Sequence, residues 1–183
     1  MNQEYFTVEL GSGRHLGVPL ANMGAAAQFE VQNVCTVPGV ADFWHGVVNF
    51  KGSLLWVLDS DRFFNLSIPE KKQPQKLTAV ILKSEELGNP KKVAIVTQKL
   101  TGILSVKSSE LKPLEDHASP QLHKCCNAFV QTESAVPQLE NATKDASSAS
   151  VVADGILRSQ RTYIIDSSAL LQQLHQQSIL LSA

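Results

Sequence analysis

Two histidines and two cysteines near the middle of the chain form the densest group of residues with metal-binding chemistry. His117 and His123 precede the adjacent pair Cys125 and Cys126. Zinc sites usually combine two separated pairs of imidazole or thiolate ligands, and this spacing differs from that pattern. We therefore expect no metal here and interpret the cysteines, with Cys35, as buried or half-buried free thiols. A metal-dependent enzyme that uses this cluster is the alternative.

Asp59 and Asp166 are the candidates for acid–base chemistry, because each carboxylate ends an apolar stretch. A serine follows each aspartate, and a side-chain oxygen at such a position caps a helix. The sequence contains no G-x-x-x-x-G-K-[ST] phosphate loop and no G-x-S-x-G nucleophile motif. These features predict a protein that is not an enzyme and binds no cofactor.

Lys51 is the most unusual charged residue, because it lies at the bend of a strongly apolar hairpin. The hairpin spans residues 46–59, and Asn49-Phe50-Lys51-Gly52 forms its bend. β-Branched and aromatic residues around a glycine turn are typical of a hairpin. The nearly continuous apolar pattern predicts that both faces of the hairpin are covered. A lysine at a turn is most often solvated, so the residues alone leave its role open.

The surrounding pattern predicts many short strands separated by turns, which favours β-barrels over alternating strands and helices. A short helix is expected over residues 22–29, behind an Asn22 cap, and another after Asp166. Residues 132–150 are rich in Ser, Ala, Thr, Asn and Glu and are expected to form a flexible insertion. The expected strands cover residues 5–10, 16–20, 47–50, 54–58, 77–83, 93–97, 102–106, 125–131, 151–157 and 162–165, the last two joined by a turn at 158–161.

One short pattern occurs twice. Residues 56–60 (WVLDS) and residues 163–167 (YIIDS) share the order aromatic, aliphatic, aliphatic, Asp, Ser. Each closes an apolar hairpin and opens a short helix. Two barrel-like subdomains built on a similar plan would explain the repetition.

Composition narrows the possible partners. The chain has 16 basic and 17 acidic residues and a formal net charge of −1, so no strong field attracts nucleic acid. No apolar run reaches the length of a membrane-spanning helix, which predicts no membrane insertion. The first residues lack the basic and apolar regions of a signal peptide, and the three cysteines form no C-x-x-C motif. We therefore expect a cytoplasmic protein.

The region around the hairpin resembles the CheW-like domain family. Residues 37–52 (VPGVADFWHGVVNFKG) and 54–59 (LLWVLD) follow the family order of a Pro-Gly entry, a glycine, an Asn-x-basic-Gly bend and a strand that ends in Asp. Residues 5–20 are similar to the family's opening hairpin, and residues 155–171 to its final hairpin and helix. The resemblance covers most of the chain outside residues 132–150.

This resemblance implies an all-β fold with short helices, in which two SH3-like five-stranded β-barrels pack side by side. The chain would form a single domain, residues 1–183. We expect the first barrel over residues 16–68, the second over 1–15 plus 75–165, the insertion at 132–150 and a C-terminal helix over 167–183.

The resemblance also implies a non-catalytic adaptor for chemotaxis and motility. Family members join chemoreceptors to a CheA-type histidine kinase in two-component signalling. They bind the kinase's own CheW-like domain at barrel ends and the receptor signalling domain in a groove between barrels. Because the Asn-x-Arg-Gly bend contributes to receptor contact, the resemblance assigns partner binding to Asn49, Lys51, Gly52, Phe50 and Val48.

Three departures from the family pattern indicate a divergent member. Lys51 replaces the family's arginine and keeps the charge but loses the planar pair of donors. Ala41 and Trp56 replace two prolines, and the insertion at residues 132–150 is also unusual. These changes fit a specialised partner, such as a receptor of pilus-based motility. A regulatory β-barrel module without receptor binding is the other alternative.

Overall fold

The computed structural model describes residues 2–66, 74–84, 91–114, 119–135 and 157–180. These residues form strands and short helices in the following order: β1 (Asn2–Glu9), β2 (His15–Pro19), β3 (Met23–Glu30), β4 (Trp44–Phe50), β5 (Ser53–Asp59), α1 (Ser60–Phe63), β6 (Lys76–Ser84), β7 (Lys91–Thr97), β8 (Lys99–Lys107), α2 (Pro120–Cys125), β9 (Cys126–Ala135), β10 (Leu157–Ile165) and α3 (Ser167–Leu180).

The ten strands form two curled five-stranded sheets with the same plan. Barrel A has the strand order β8-β1-β2-β10-β9, and barrel B has the order β3-β6-β7-β5-β4. In each sheet the third and fourth strands pair in parallel, whereas the other neighbours are antiparallel. The chain begins in barrel A, builds barrel B without interruption and returns. The all-β, two-barrel prediction is therefore confirmed, and the repeated WVLDS and YIIDS segments end equivalent strands.

The strand pairing corrects the predicted division between the barrels. The sequence predicts residues 16–20 in the first barrel with residues up to 68, but β2 pairs with β1 and β10 of barrel A. It predicts residues from 75 onwards in the second barrel with residues 1–15, but β6 and β7 pair with β3 and β5 of barrel B. Barrel B therefore runs from β3 to β7 in the chain. The alternating pattern identifies a strand but carries no information about its hydrogen-bonding neighbour.

The expected helix over residues 22–29 is wrong, because this segment forms strand β3. It pairs with β6 from Met23↔Leu82 to Glu30↔Lys76. Alanine has the highest helix propensity, but intrinsic propensity is a weak preference, and a continuous partner strand supplies the backbone hydrogen bonds that decide the conformation.

The buried apolar residues form three clusters, one inside each barrel and one between the barrels. The interior of barrel B contains Phe29, Val48, Leu55, Val57, Leu77, Ala79, Ile81 and Ala94. The smaller interior of barrel A contains Tyr5, Val106, Val130 and Ile164. The largest cluster lies between the barrels and receives side chains from both sheets and all three helices, among them Leu16, Leu58, Phe63, Val80, Ile95, Leu122, Ile165 and Leu170. The barrels therefore share one continuous apolar interface.

The end of the chain differs from the expectation in two places. β10 is one uninterrupted strand paired with β9, so the expected turn at residues 158–161 is wrong. The expected insertion at 132–150 begins inside β9, and its residues from 136 on lie outside those described. Helix α3 follows, and the Asp166 carboxylate caps it by accepting a hydrogen bond from the Ala169 N–H at 3.0 Å. In the described part of the chain, no helix has the length and apolar character needed to span a membrane.

Candidate functional site

The bend between β4 and β5 is a two-residue turn with an uncommon backbone conformation. Strand β4 ends at Phe50 and β5 begins at Ser53, and these two residues pair. Lys51 has φ 52° and Gly52 has φ 79°. Two central residues with positive φ are typical of type I′ turns, which match the twist of a hairpin. A Cβ on Gly52 would meet no atom within 4 Å, so backbone conformation alone accounts for glycine there.

Hydrogen bonding and ring contacts hold this turn. The Gly52 N–H donates to Oδ1 of Asn49 at 3.0 Å. The Lys51 ammonium nitrogen lies 5.4 Å from the centroid of the Phe50 ring, which is a cation–π distance. The Phe50 ring in turn packs edge-on against Phe29, with centroids 6.1 Å apart. The bend therefore presents its cation from a supported position on barrel B.

Val48 is the one predicted contact residue that the structure removes from the surface. It is 5% exposed and lies among the interior residues of barrel B. The reason is the alternation of a strand, because Val48 and Asn49 point to opposite faces. Asn49, Lys51 and Gly52 are exposed, and Phe50 is half-buried. Val48 therefore supports the bend from inside the barrel and offers little surface to a partner.

Leu54 is a surface residue that the sequence pattern did not reveal. Its side chain is 71% exposed, and it pairs with Asn49 directly beside the bend. The apolar run of β5 suggested that both faces were covered. That holds further along the strand, where Trp56 packs on Trp44 with ring centroids 5.1 Å apart. At Leu54 the cover ends, and an exposed apolar side chain lies at the end of the hairpin beside the bend.

A groove of about 720 Å³ opens on the other side of the bend, between the ends of β3 and β4. These two strands are the edges of the barrel B sheet. Beside the groove, Cys35 exchanges two backbone hydrogen bonds with Val47, at 2.8 and 2.9 Å. The Cys35 thiol is exposed, which corrects the expectation that it is buried or half-buried. The groove lining consists of Gln28, Phe29, Glu30, Gln32, Asn33, Cys35, Val48, Asn49, Phe50 and Lys76.

Asp59, at the base of the hairpin, makes contacts that give it a structural role. Its carboxylate caps α1 by accepting a hydrogen bond from the Arg62 N–H at 3.1 Å. Nε2 of His45 lies 3.5 Å from the same carboxylate. Burial lowers the pKa of His45 more than the Asp59 charge raises it, so the imidazole is neutral at neutral pH. Asp59 therefore anchors the end of β5, as Asp166 does at the end of β10.

The histidine–cysteine cluster does not assemble among the described residues. His117 lies outside them, His123 is exposed, and Cys125 and Cys126 are buried. Burial raises the pKa of Cys125 to about 12, and it also raises the pKa of Cys126. Both thiols are therefore protonated at neutral pH, whereas a metal ligand or nucleophile is a thiolate. Nowhere in the described ranges do three His, Cys, Asp or Glu side chains form a possible metal site.

Comparison with known proteins agrees with this architecture. The model of the CheW-like domain family matches residues 4–134. A search of curated protein sequences found no match. The crystal structure of the scaffolding protein TtCheW from Thermoanaerobacter tengcongensis superposes with a TM-score of 0.60 at 13% identity, over 91% of this chain and 90% of that one. Such an identity supports the fold, and the family match covers more than half of the sequence. The chain therefore belongs to the CheW-like domain family.

Proposed function

We propose that this protein is a cytoplasmic adaptor that couples chemoreceptors to a CheA-type histidine kinase in a two-component system. The observation that carries the proposal is the bend of a CheW-like chain, where Lys51 and Leu54 are both exposed at the tip of a well-packed hairpin. Binding would occur without any reaction, and neither a cofactor nor a metal would take part.

The chemistry of the bend indicates what it would recognise. Leu54 supplies apolar area and Lys51 supplies a cation, a combination that suits a partner that offers both an apolar side chain and a carboxylate. Lysine acts as a compact point charge and lacks the bidentate donors of the family's arginine. We therefore expect the contact to tolerate Lys51→Arg and to depend on the sign of the charge.

The three departures from the family pattern support a specialised partner. Lys51 changes the donor at the bend, and Trp56 replaces a proline and packs on Trp44. We propose a receptor of a divergent chemosensory system, such as one that controls pilus-based motility. Binding assays with receptor signalling domains of several classes from the same genome would test this assignment. Equal binding to all classes would contradict it.

The basic experiment is reconstitution of the complex from purified components. The full chain is expected to co-purify with a CheA-type kinase and with a receptor signalling domain at micromolar concentrations. If the chain binds neither the kinase nor the receptor domain at tens of micromolar, the adaptor function is refuted. Binding to the kinase alone would instead indicate a regulatory module without receptor contact.

Substitutions at the bend test the contact itself. Lys51→Glu is expected to weaken receptor binding by on the order of tenfold, because it replaces the cation with a repelling charge. Lys51→Asn serves as the matched control, since asparagine tolerates positive φ and only removes the charge. Leu54→Ser is expected to weaken binding without loss of stability, because the side chain is already exposed. Unchanged affinity in both the Lys51→Glu and Leu54→Ser variants would remove the bend from the interface.

A further inference from the structure

The conformation of the bend requires a restraint. Lys51 has φ 52°, a region that is sterically disfavoured for residues other than glycine and, to a lesser degree, asparagine and aspartate. The turn is exposed, so burial does not hold it in place. With this backbone conformation the Lys51 ammonium group lies over the Phe50 ring. The pairing of Phe50 with Ser53 closes the hairpin, and a local side-chain hydrogen bond adds to the restraint.

Asn49 provides that hydrogen bond. Its Oδ1 accepts from the N–H of Gly52, the second residue of the turn, at 3.0 Å, so the bond spans Phe50 and Lys51. An asparagine side chain that bonds to a backbone N–H in this way reproduces part of a backbone turn. The bond joins the last part of β4 to the residue just before β5. Because it closes a ring of atoms around Lys51, it restricts the backbone from which the lysine side chain extends.

We infer that Asn49 is a positioning residue: it holds the turn so that the Lys51 ammonium stays over Phe50, and it does not itself contact the partner. The inference assigns separate roles within the bend, with Lys51 as the contact and Asn49 as its support. Only its consequence for binding rests on the proposed function, because the order of the turn can be measured without a partner.

Solution NMR of the full chain tests the structural part. Asn49→Ala is expected to increase the hydrogen-exchange rate of the Gly52 amide by roughly three- to tenfold, the effect of losing one such hydrogen bond. It should also remove the upfield ring-current shift that Phe50 imposes on the Lys51 ε-methylene. Asn49→Ser keeps a short side-chain oxygen and should restore part of both effects. If Asn49→Ala changes neither signal, the inference is wrong.

A double-mutant cycle with the receptor signalling domain tests the consequence for binding. Asn49→Ala is expected to weaken binding in the wild-type background and to have no further effect in the Lys51→Asn background, because a support without its contact has nothing to position. A further loss in that background would show that Asn49 touches the partner and would overturn the inference. If the wild-type chain binds no receptor domain, the proposed function fails, whereas the two NMR signals still decide the role of Asn49.

Discussion

Asp61 links the two barrels through a pair of hydrogen bonds whose removal should measurably destabilise the protein. It lies in α1, directly after barrel B strand β5, and is 8% exposed. Its Oδ2 accepts from the Gly11 N–H at 2.8 Å and its Oδ1 from the Ser12 N–H at 3.0 Å. Both donors belong to the turn between β1 and β2 of barrel A. One carboxylate thus fixes the position of a turn in the other barrel.

Asp61→Ala is expected to lower the free energy of unfolding by about 2 to 4 kcal/mol. A hydrogen bond to a charged group contributes about 1.5 to 3 kcal/mol, and water can reach the half-buried turn and replace part of the two that are lost. For a chain of this size, each kcal/mol corresponds to about 2 to 4 °C, so the melting temperature should fall by about 5 to 15 °C. Asp61→Asn keeps one acceptor oxygen and should give an intermediate loss.

Urea unfolding monitored by tryptophan fluorescence is the suitable assay. Trp44 and Trp56 are half-buried against the cluster between the barrels, so their emission reports on the interface that Asp61 supports. Asp42→Ala is the matched control, because Asp42 is exposed and its replacement should change stability by less than about 0.5 kcal/mol. If Asp61→Ala is no more destabilising than this control, the reasoning about the link between the barrels is refuted.

Three further predictions concern close packing, buried thiols and pH. Gly46→Ala should cost more than about 2 kcal/mol in urea titrations, because its Cβ would lie 2.1 Å from the Cys35 carbonyl oxygen. Gly13→Ala, with positive φ but no atom within 4 Å of the Cβ, should cost only about 1 kcal/mol, and equal losses would contradict the steric argument. An aromatic disulfide reagent at about pH 8 should label only Cys35 in the folded protein and all three cysteines in denaturant. The reason is that burial raises the pKa of Cys125 to about 12 and also raises the pKa of Cys126, so neither thiol reacts in the folded protein. Rapid labelling of a second native thiol would disagree with that burial. Burial lowers the pKa of His45 in the folded protein below its usual 6.5. Below about pH 6.5 the unfolded chain therefore binds more protons than the folded protein, and the free energy of unfolding decreases as the pH falls. His45→Gln should therefore flatten the pH dependence of the unfolding free energy between about pH 7 and 5, and an unchanged slope would show that His45 does not contribute to it.

Features set by neighbouring residues could be predicted from the sequence. The hairpin with Lys51 and Gly52 at its bend follows from β-branched and aromatic residues around a glycine. The first strand ends at residue 50 as expected, and the second extends one residue further at each end than expected. The capping roles of Asp59 and Asp166 follow from the position of a carboxylate just before a helix. The repeated segment indicated two similar barrels for the same reason, since both copies end a strand and begin a helix.

Only the tertiary structure decided which strands share a barrel and which side chains of the bend are available to a partner. The pairing of β2 with β10 and of β7 with β5 joins segments far apart in the chain, and a period-two pattern is the same whichever neighbour a strand has. Tertiary packing also distinguished Leu54 from Trp56, because both lie on the same face of one apolar strand and only Trp56 is covered by another side chain. The sequence by itself thus determined the local form of the hairpin and its charged bend. Exposure and strand partners depend on distant segments, so the fold determined the surface that surrounds Lys51.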